Sequence, residues 1–213
     1  MALNHVAVEG PIGVGKTTVV DRLAEKLEAR KALEDWSTNP FLGPFYDGSP
    51  GAAFQTELFF LLSRYKQQQE LVQRQLFQQT TLVDYVFEKS RLFAYLNLDD
   101  SELLIYDKLY ALLDEKTPKP DLVIFLQAET RTLVERIRGR DREFEREISE
   151  AYVNEVNKAY NYYFFHYNTT PLLVVNTTEV DFAHRDADLE DLLRQVETMG
   201  RGTQYYVPMA SRG

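Results

Sequence analysis

The chain has no cysteine among its 213 residues. Disulfides, thiolate metal sites and a cysteine nucleophile are therefore excluded, and a reducing interior is compatible with it. Histidine is scarce as well, since His5, His166 and His184 are scattered without metal-ligand spacing. No apolar run approaches the ~18 residues needed to cross a bilayer, and "MALNHVAVEG" lacks a basic start followed by a long apolar stretch. The expectation is a soluble cytoplasmic protein. No Pro/Gly/Ser-rich linker divides the chain, so one domain is expected over residues 1–200, with 201–213 as a loosely ordered tail. Positive charge is also in short supply, with 24 Lys and Arg against 33 Asp and Glu and a net charge of −9. That balance argues against a broad surface for long nucleic acids and leaves room for a small anion held by a local basic cluster.

What is present has the rhythm of an α/β protein. "HVAVEG" reads as a strand, followed by a helix from about Lys16 to Glu28 with Val19, Val20, Leu23 and Leu27 on one side. A long amphipathic helix is expected over about Ala52 to Phe77, burying Phe54, Leu58, Leu61, Leu62 and Tyr65. "TTLVDY" reads as a strand ending in Asp84, and "DLVIFLQA" as the clearest core strand, followed by the helix "ETRTLVERIRGR". A helix from about Ser149 to Tyr167 then leads to a last strand, "PLLVVNTT". The alternation predicts a five-stranded parallel sheet with helices on both faces and sites at the carboxyl ends of its strands.

Between the first strand and helix stands "GPIGVGKTTV". Gly10, Gly15, Lys16 and Thr17 fit the phosphate-loop pattern G-x-x-x-x-G-K-S/T at every defined position. Gly10, Pro11, Ile12, Gly13, Val14, Gly15, Lys16, Thr17 and Thr18 are thus candidates for holding a nucleoside triphosphate. Backbone N–H groups and the helix end would face the phosphates, with Lys16 along the β- and γ-phosphates and the Thr17 hydroxyl on Mg²⁺. A guanine-reading N-K-x-D is missing, because "NKAY" at Asn157 lacks the aspartate. A second cluster, "RIRGRDREFE", places Arg136, Arg138, Arg140 and Arg142 within seven residues where a helix breaks at Gly139. It is either a solvated helix end or a lid whose guanidinium groups close over transferred phosphate.

With these motifs, "NPFLGPFY", "FQTELFFLLSRYKQQQ" and "LVDYVFEKSRLFA" in hand, the sequence resembles the deoxynucleoside kinases, in particular their bacterial deoxyadenosine/deoxyguanosine branch, over about residues 4–198. The resemblance implies a phosphate-loop kinase fold with an Arg-rich lid, ATP and Mg²⁺, and pairing of two copies, or of homologous subunits, through the long helices. It implies Glu34 as general base toward the nucleoside 5′-hydroxyl, with Asp35 as its rival, and Arg136, Arg140 and Arg142 as lid residues around the transfer. Asp84 would join Thr17 at the metal, and Tyr46 and Glu145 would hold the sugar 3′-hydroxyl. The family's arginine and hydroxyl residue after this aspartate are replaced here by Tyr85 and Val86, which leaves the lid arginines as substitutes. Trp36 is a further candidate for lining the nucleoside pocket.

For the base, the resemblance implies a glutamine on the long helix and an arginine seven residues later. At about 100° per residue, Glu57 and Arg64 share a helix face whereas Gln55 and Arg64 oppose. Glu57 therefore occupies the glutamine position, and Ser90 occupies that of an aspartate. An ionised glutamate only accepts hydrogen bonds, which suits the adjacent N1–H and 2-amino donors of guanine, while Arg64 and Ser90 could give to its acceptors. The expected activity is transfer of the γ-phosphate of ATP to the 5′-hydroxyl of a purine deoxynucleoside, deoxyguanosine before deoxyadenosine. Glu57 could instead pair with Arg64. A nucleoside monophosphate kinase and a non-catalytic nucleotide-binding subunit are the other readings.

Overall fold

A computed structural model describes residues 3–74, 79–140, 145 and 148–208, with the side chains of 72–74 left aside. Six strands form one parallel sheet in the order β2-β3-β1-β4-β5-β6. They are β1 His5–Glu9, β2 Arg30–Ala32, β3 Thr81–Val83, β4 Leu122–Gln127, β5 Leu172–Asn176 and β6 Thr203–Tyr206. The connecting helices are α1 Lys16–Leu27, α2 Leu42–Tyr46, α3 Ala52–Arg74, α4 Lys89–Asn97, α5 Asp100–Asp114, α6 Thr130–Gly139, α7 Glu150–Phe165 and α8 Asp186–Thr198.

Strict alternation along the central strands builds two cores. Val6, Val8, Ile124, Leu126, Leu173 and Val175 face α1, α6 and α8, and Ala7, Val123, Phe125, Leu172 and Val174 face α7 and α4. Both faces are covered, so these strands are apolar throughout, as a buried parallel sheet requires. The aromatic run after Asn157 belongs to this packing, with Phe164 stacked on Phe125 at 4.1 Å between ring centroids. A third cluster, from Leu61 to Tyr110, binds α3, α4 and α5 together.

Three expectations are corrected. The sheet has a sixth strand, because Thr203–Tyr206 pairs parallel with β5 inside the supposed loose tail. Its Tyr206 hydroxyl donates to Asp191 at 2.8 Å and Gln204 Nε2 to Gln195 at 2.6 Å, so side-chain bonds to α8 replace the hydrophobic run that marks a core strand. The boundary at residue 200 therefore does not divide fold from tail. On α3, Leu62 is 49% exposed while Thr56, Glu57, Arg64 and Gln68 are buried. That helix turns polar side chains inward because it walls a cleft as well as a core.

Candidate active site

Glycine opens the site. Gly15 caps α1 at φ 103°, and Gly13 at φ 86° lies so close to α6 that a Cβ would meet the Leu133 carbonyl at 2.8 Å. Only glycine tolerates both demands. Inside this loop Lys16 Nζ donates to the carbonyls of Gly10 at 2.6 Å and Pro11 at 3.2 Å. Burial, and then the nearby Lys89 charge, lowers its pKa to about 8. Beneath the loop, the fully buried Glu9 accepts from the N–H of Gly10 at 2.8 Å, the N–H of Val86 at 2.9 Å and the Tyr160 hydroxyl at 3.2 Å. One carboxylate thus ties the loop to the segment after β3 and to α7.

A cleft of about 370 Å³ lies at the carboxyl ends of β1, β2 and β3. Its walls bring together most of the residues singled out above: Ile12, Gly13, Gly15, Lys16, Thr17 and Thr18 of the loop, then Glu34, Trp36, Tyr46, Glu57, Arg64, Asp84, Arg140 and Glu145. Tyr46 is positioned through the α2–α3 junction, where Thr56 Oγ1 donates to the Phe41 carbonyl at 3.0 Å and Asn39 Nδ2 to the Thr56 carbonyl at 3.3 Å.

Glu34 follows β2, and its N–H donates to Asp84 Oδ1 at 2.7 Å, joining the ends of β2 and β3. Its carboxylate accepts from Arg64 Nε at 2.5 Å and from Lys89 Nζ at 2.7 Å. Burial alone would raise its pKa, but the Arg64 and Lys89 charges outweigh that and hold it at about 2. Asp35, the rival, is exposed and accepts from the Ser37 N–H at 3.1 Å as the cap of a short 3₁₀ turn. At the loop's mouth the Thr17 hydroxyl donates to Asp84 Oδ2 at 3.3 Å. Two hard oxygens there suit Mg²⁺, which keeps few protein ligands and completes its shell with phosphate and water. Among the described residues no group of three or more His, Cys, Asp or Glu could hold a metal alone.

Four assignments come out differently. Arg136 does not line the cleft: its guanidinium bonds the Val14 carbonyl at 3.3 Å, the Thr177 carbonyl at 2.7 Å and the Val180 carbonyl at 3.4 Å. It braces the phosphate loop against the segment after β5. Arg140 grips Glu145 with two bonds of 2.7 Å, so these two lid residues hold each other. Arg142 lies outside the described residues. Ser90 is fully buried behind Arg64 and accepts from its Nη1 at 2.8 Å, so it orients that arginine instead of facing the cleft. Glu57 and Arg64 do share the cleft-facing side of α3, yet Arg64 pairs with Glu34, and Glu57 accepts from Asn97 Nδ2 at 2.8 Å.

Lys89 is the residue that sequence reasoning missed. Tyr85 turns into the core, its hydroxyl donating to Gln67 at 2.5 Å, and the cation it displaces is supplied four residues later. The signal was the basic residue that opens "KSRLFAYLN", the start of α4. Lys89 is 9% exposed and lies 5.9 Å from the Phe93 ring centroid. Truncating one partner of a buried ion pair leaves the other poorly matched, so Lys89→Met is expected to cost about 3 kcal/mol of stability. Denaturant unfolding of both proteins measures this, and a change within error would mean that the pair contributes nothing net.

The comparisons agree with this geometry. Residues 6–200 match the profile of a family described as deoxynucleoside kinase. A deoxyguanosine kinase of Bacillus subtilis (strain 168) is 38% identical over 73% of this chain and 75% of its own. A deoxyadenosine/deoxycytidine kinase of the same organism is 27% identical over 91% and 92%. A solved deoxyadenosine kinase from M. mycoides superposes with a TM-score of 0.79 at 24% identity, over 92% of this chain and all of that one. The chain belongs to the deoxynucleoside kinase family.

Proposed function

We propose that the protein transfers the γ-phosphate of ATP to the 5′-hydroxyl of a purine deoxynucleoside, with deoxyguanosine favoured over deoxyadenosine. The observation that carries this reading is Glu34, an ionised carboxylate fixed by Arg64 and Lys89 in the same cleft as Lys16 and Thr17. Lys16 and the loop amides hold the triphosphate, and the Gly10 and Pro11 carbonyls release the Lys16 ammonium to it. Thr17 and Asp84 hold Mg²⁺, which when bound neutralises phosphate charge. Glu34 orients the acceptor hydroxyl and takes its proton. With its pKa lowered to about 2 it is a weak base, but the attacking hydroxyl becomes acidic as its bond to phosphorus forms, and the carboxylate is ready at every working pH.

Tyr46 and Glu145 form the sugar end, Glu145 set by Arg140. Arg136 serves by bracing the loop. The acceptor half of the cleft carries Glu57, Glu145, Tyr46 and Trp36, with Arg64 already committed to Glu34. A phosphorylated acceptor finds little positive charge there, which disfavours a nucleoside monophosphate kinase. Guanine is favoured because Glu57, lining the cleft, can accept from its two adjacent donors. Relatives carry names of both deoxyguanosine and deoxyadenosine kinases, so the base is decided by assay. With MgATP and each deoxynucleoside in turn at pH about 8, chosen to keep Glu57 ionised, kcat/KM for deoxyguanosine should exceed that for deoxyadenosine by about tenfold or more. A clear deoxyadenosine preference would overturn the guanine reading, and turnover of dGMP alone would overturn the acceptor.

A further inference from the structure

Glu57 is 3% exposed on the cleft side of α3. Its two oxygens are not equivalent. Oε1 accepts from Asn97 Nδ2 at 2.8 Å, and the Tyr152 hydroxyl donates to Asn97 Oδ1 at 3.2 Å, so α7 fixes which end of the carboxamide faces Glu57. Oε2 is buried and has no hydrogen-bond partner among the described residues. A buried acceptor without a donor is costly, and a carboxyl can relieve it in two ways: by receiving a donor from a ligand or by taking a proton on that oxygen.

We propose that Glu57 selects between purine bases by its own protonation: ionised, it accepts from the adjacent N–H donors of guanine, and protonated on Oε2, it offers a donor beside an acceptor and matches adenine. Base preference then turns over with pH. This rests on the reading of the cleft as a purine deoxynucleoside site and adds a control on it. Asn97 determines the atom involved, because its N–H already occupies Oε1 and leaves Oε2 for the proton.

The surroundings suit such a change near neutrality. From its own helix Arg64, bonded to Glu34 and Ser90, faces Glu57 and its charge lowers that carboxyl's pKa. Glu34 approaches from the segment after β2 and Lys89 from α4, an ion pair whose members act on Glu57 in opposite directions. Among the described residues the remaining titratable neighbours are the hydroxyls of Tyr46 on α2, Tyr106 on α5 and Tyr152 on α7, all neutral and held so by burial. Tyr46 in turn feels the Arg140–Glu145 pair, which is internally compensated. Burial pushes the Glu57 carboxyl up to about 7, partly opposed by the Asn97 hydrogen bond. Neither guanine nor adenine titrates in that range.

Linkage sets the size of the effect. If guanine binds only the ionised form and adenine only the protonated one, the ratio of their apparent affinities rises about tenfold per pH unit. The test measures kcat/KM for deoxyguanosine and deoxyadenosine between about pH 6 and about pH 8, around the usual range of a raised carboxyl. Alongside it, calorimetric binding of each nucleoside in two buffers of different ionisation enthalpy counts protons. The wild-type ratio should climb about tenfold per unit, deoxyadenosine should take up a proton at the alkaline end, and deoxyguanosine should release one at the acid end. In Glu57→Gln the ratio should be flat and shifted toward deoxyadenosine, with no proton exchanged. In Asn97→Ala, which removes the donor that lowers the Glu57 pKa, the slope should persist with its crossover at higher pH. A flat wild-type ratio, or an unchanged slope in Glu57→Gln, overturns the switch. Loss of the wider reading looks different, since then no deoxynucleoside is phosphorylated or bound at any pH.

Discussion

Glu34→Gln should lower kcat for the deoxynucleoside by about 10²- to 10⁴-fold, the usual contribution of a positioned general base, while leaving its dissociation constant nearly unchanged. Glutamine keeps the shape and an acceptor for Arg64 or Lys89, so the loss reports on the missing charge more than on the packing. Arg64 and Lys89 would then share a neutral partner in a site where both are nearly buried. Some stability is lost as well, and a thermal melt alongside the kinetics separates the two effects. The neighbouring change, Asp35→Asn, serves as control because Asp35 only caps the turn at Ser37. If Glu34→Gln turned over within tenfold of wild type while folded, the carboxylate would be a structural anchor for two cations, and the proton would have to leave by another route.

Lys16→Met should be nearly as damaging, with kcat/KM reduced by about 10³-fold or more, by analogy with other cations aimed at transferred phosphate. Among the described residues the side chain donates to carbonyls of its own loop, at 2.6 and 3.2 Å from Gly10 and Pro11. Its charge also faces the carboxylates of Glu9, Asp84 and Glu34, so a thermal melt of the variant accompanies the kinetics. Methionine fills the volume without the charge, and Glu9 beneath the loop still holds the Gly10 N–H. Nucleoside binding should persist and triphosphate binding should weaken, which equilibrium binding of each ligand separately would reveal. Weakened binding of the nucleoside as well would mean that Lys16 acts through the Glu34–Lys89 pair and not through the phosphates.

Local patterns made much of this legible. The loop's residues are adjacent in sequence and its spacing carries its own geometry, so Gly10 to Thr18 could be read directly. Helical periodicity put Glu57 and Arg64 on one face, and that face does line the cleft. What local patterns cannot give is the partner across space. Arg136 has the composition of a lid residue, but its partners are the backbone carbonyls of Val14, Thr177 and Val180 and the Thr177 hydroxyl, all far away in sequence. Lys89 was hidden because Glu34 lies 55 positions away and the expected cation belonged beside Asp84. Ser90 and Asn97 owe their roles to the angle at which α4 meets α3. The sixth strand went unread because Thr203–Tyr206 is half-buried on alternate residues and takes its order from β5 and α8.

The two rims of the sheet share a property that bears on self-association. One is β2, three residues long and carrying Arg30 and Lys31; the other is β6, four residues long and polar at Thr203 and Gln204. Strands so short, one of them charged, make poor templates for a further strand, which is how open sheets avoid polymerising edge to edge. Growth of the sheet between molecules is therefore closed off at both ends. Helices offer apolar surface for contact between copies instead, with Leu62 of α3 and Leu104, Ile105 and Leu112 of α5 standing 49 to 63% exposed.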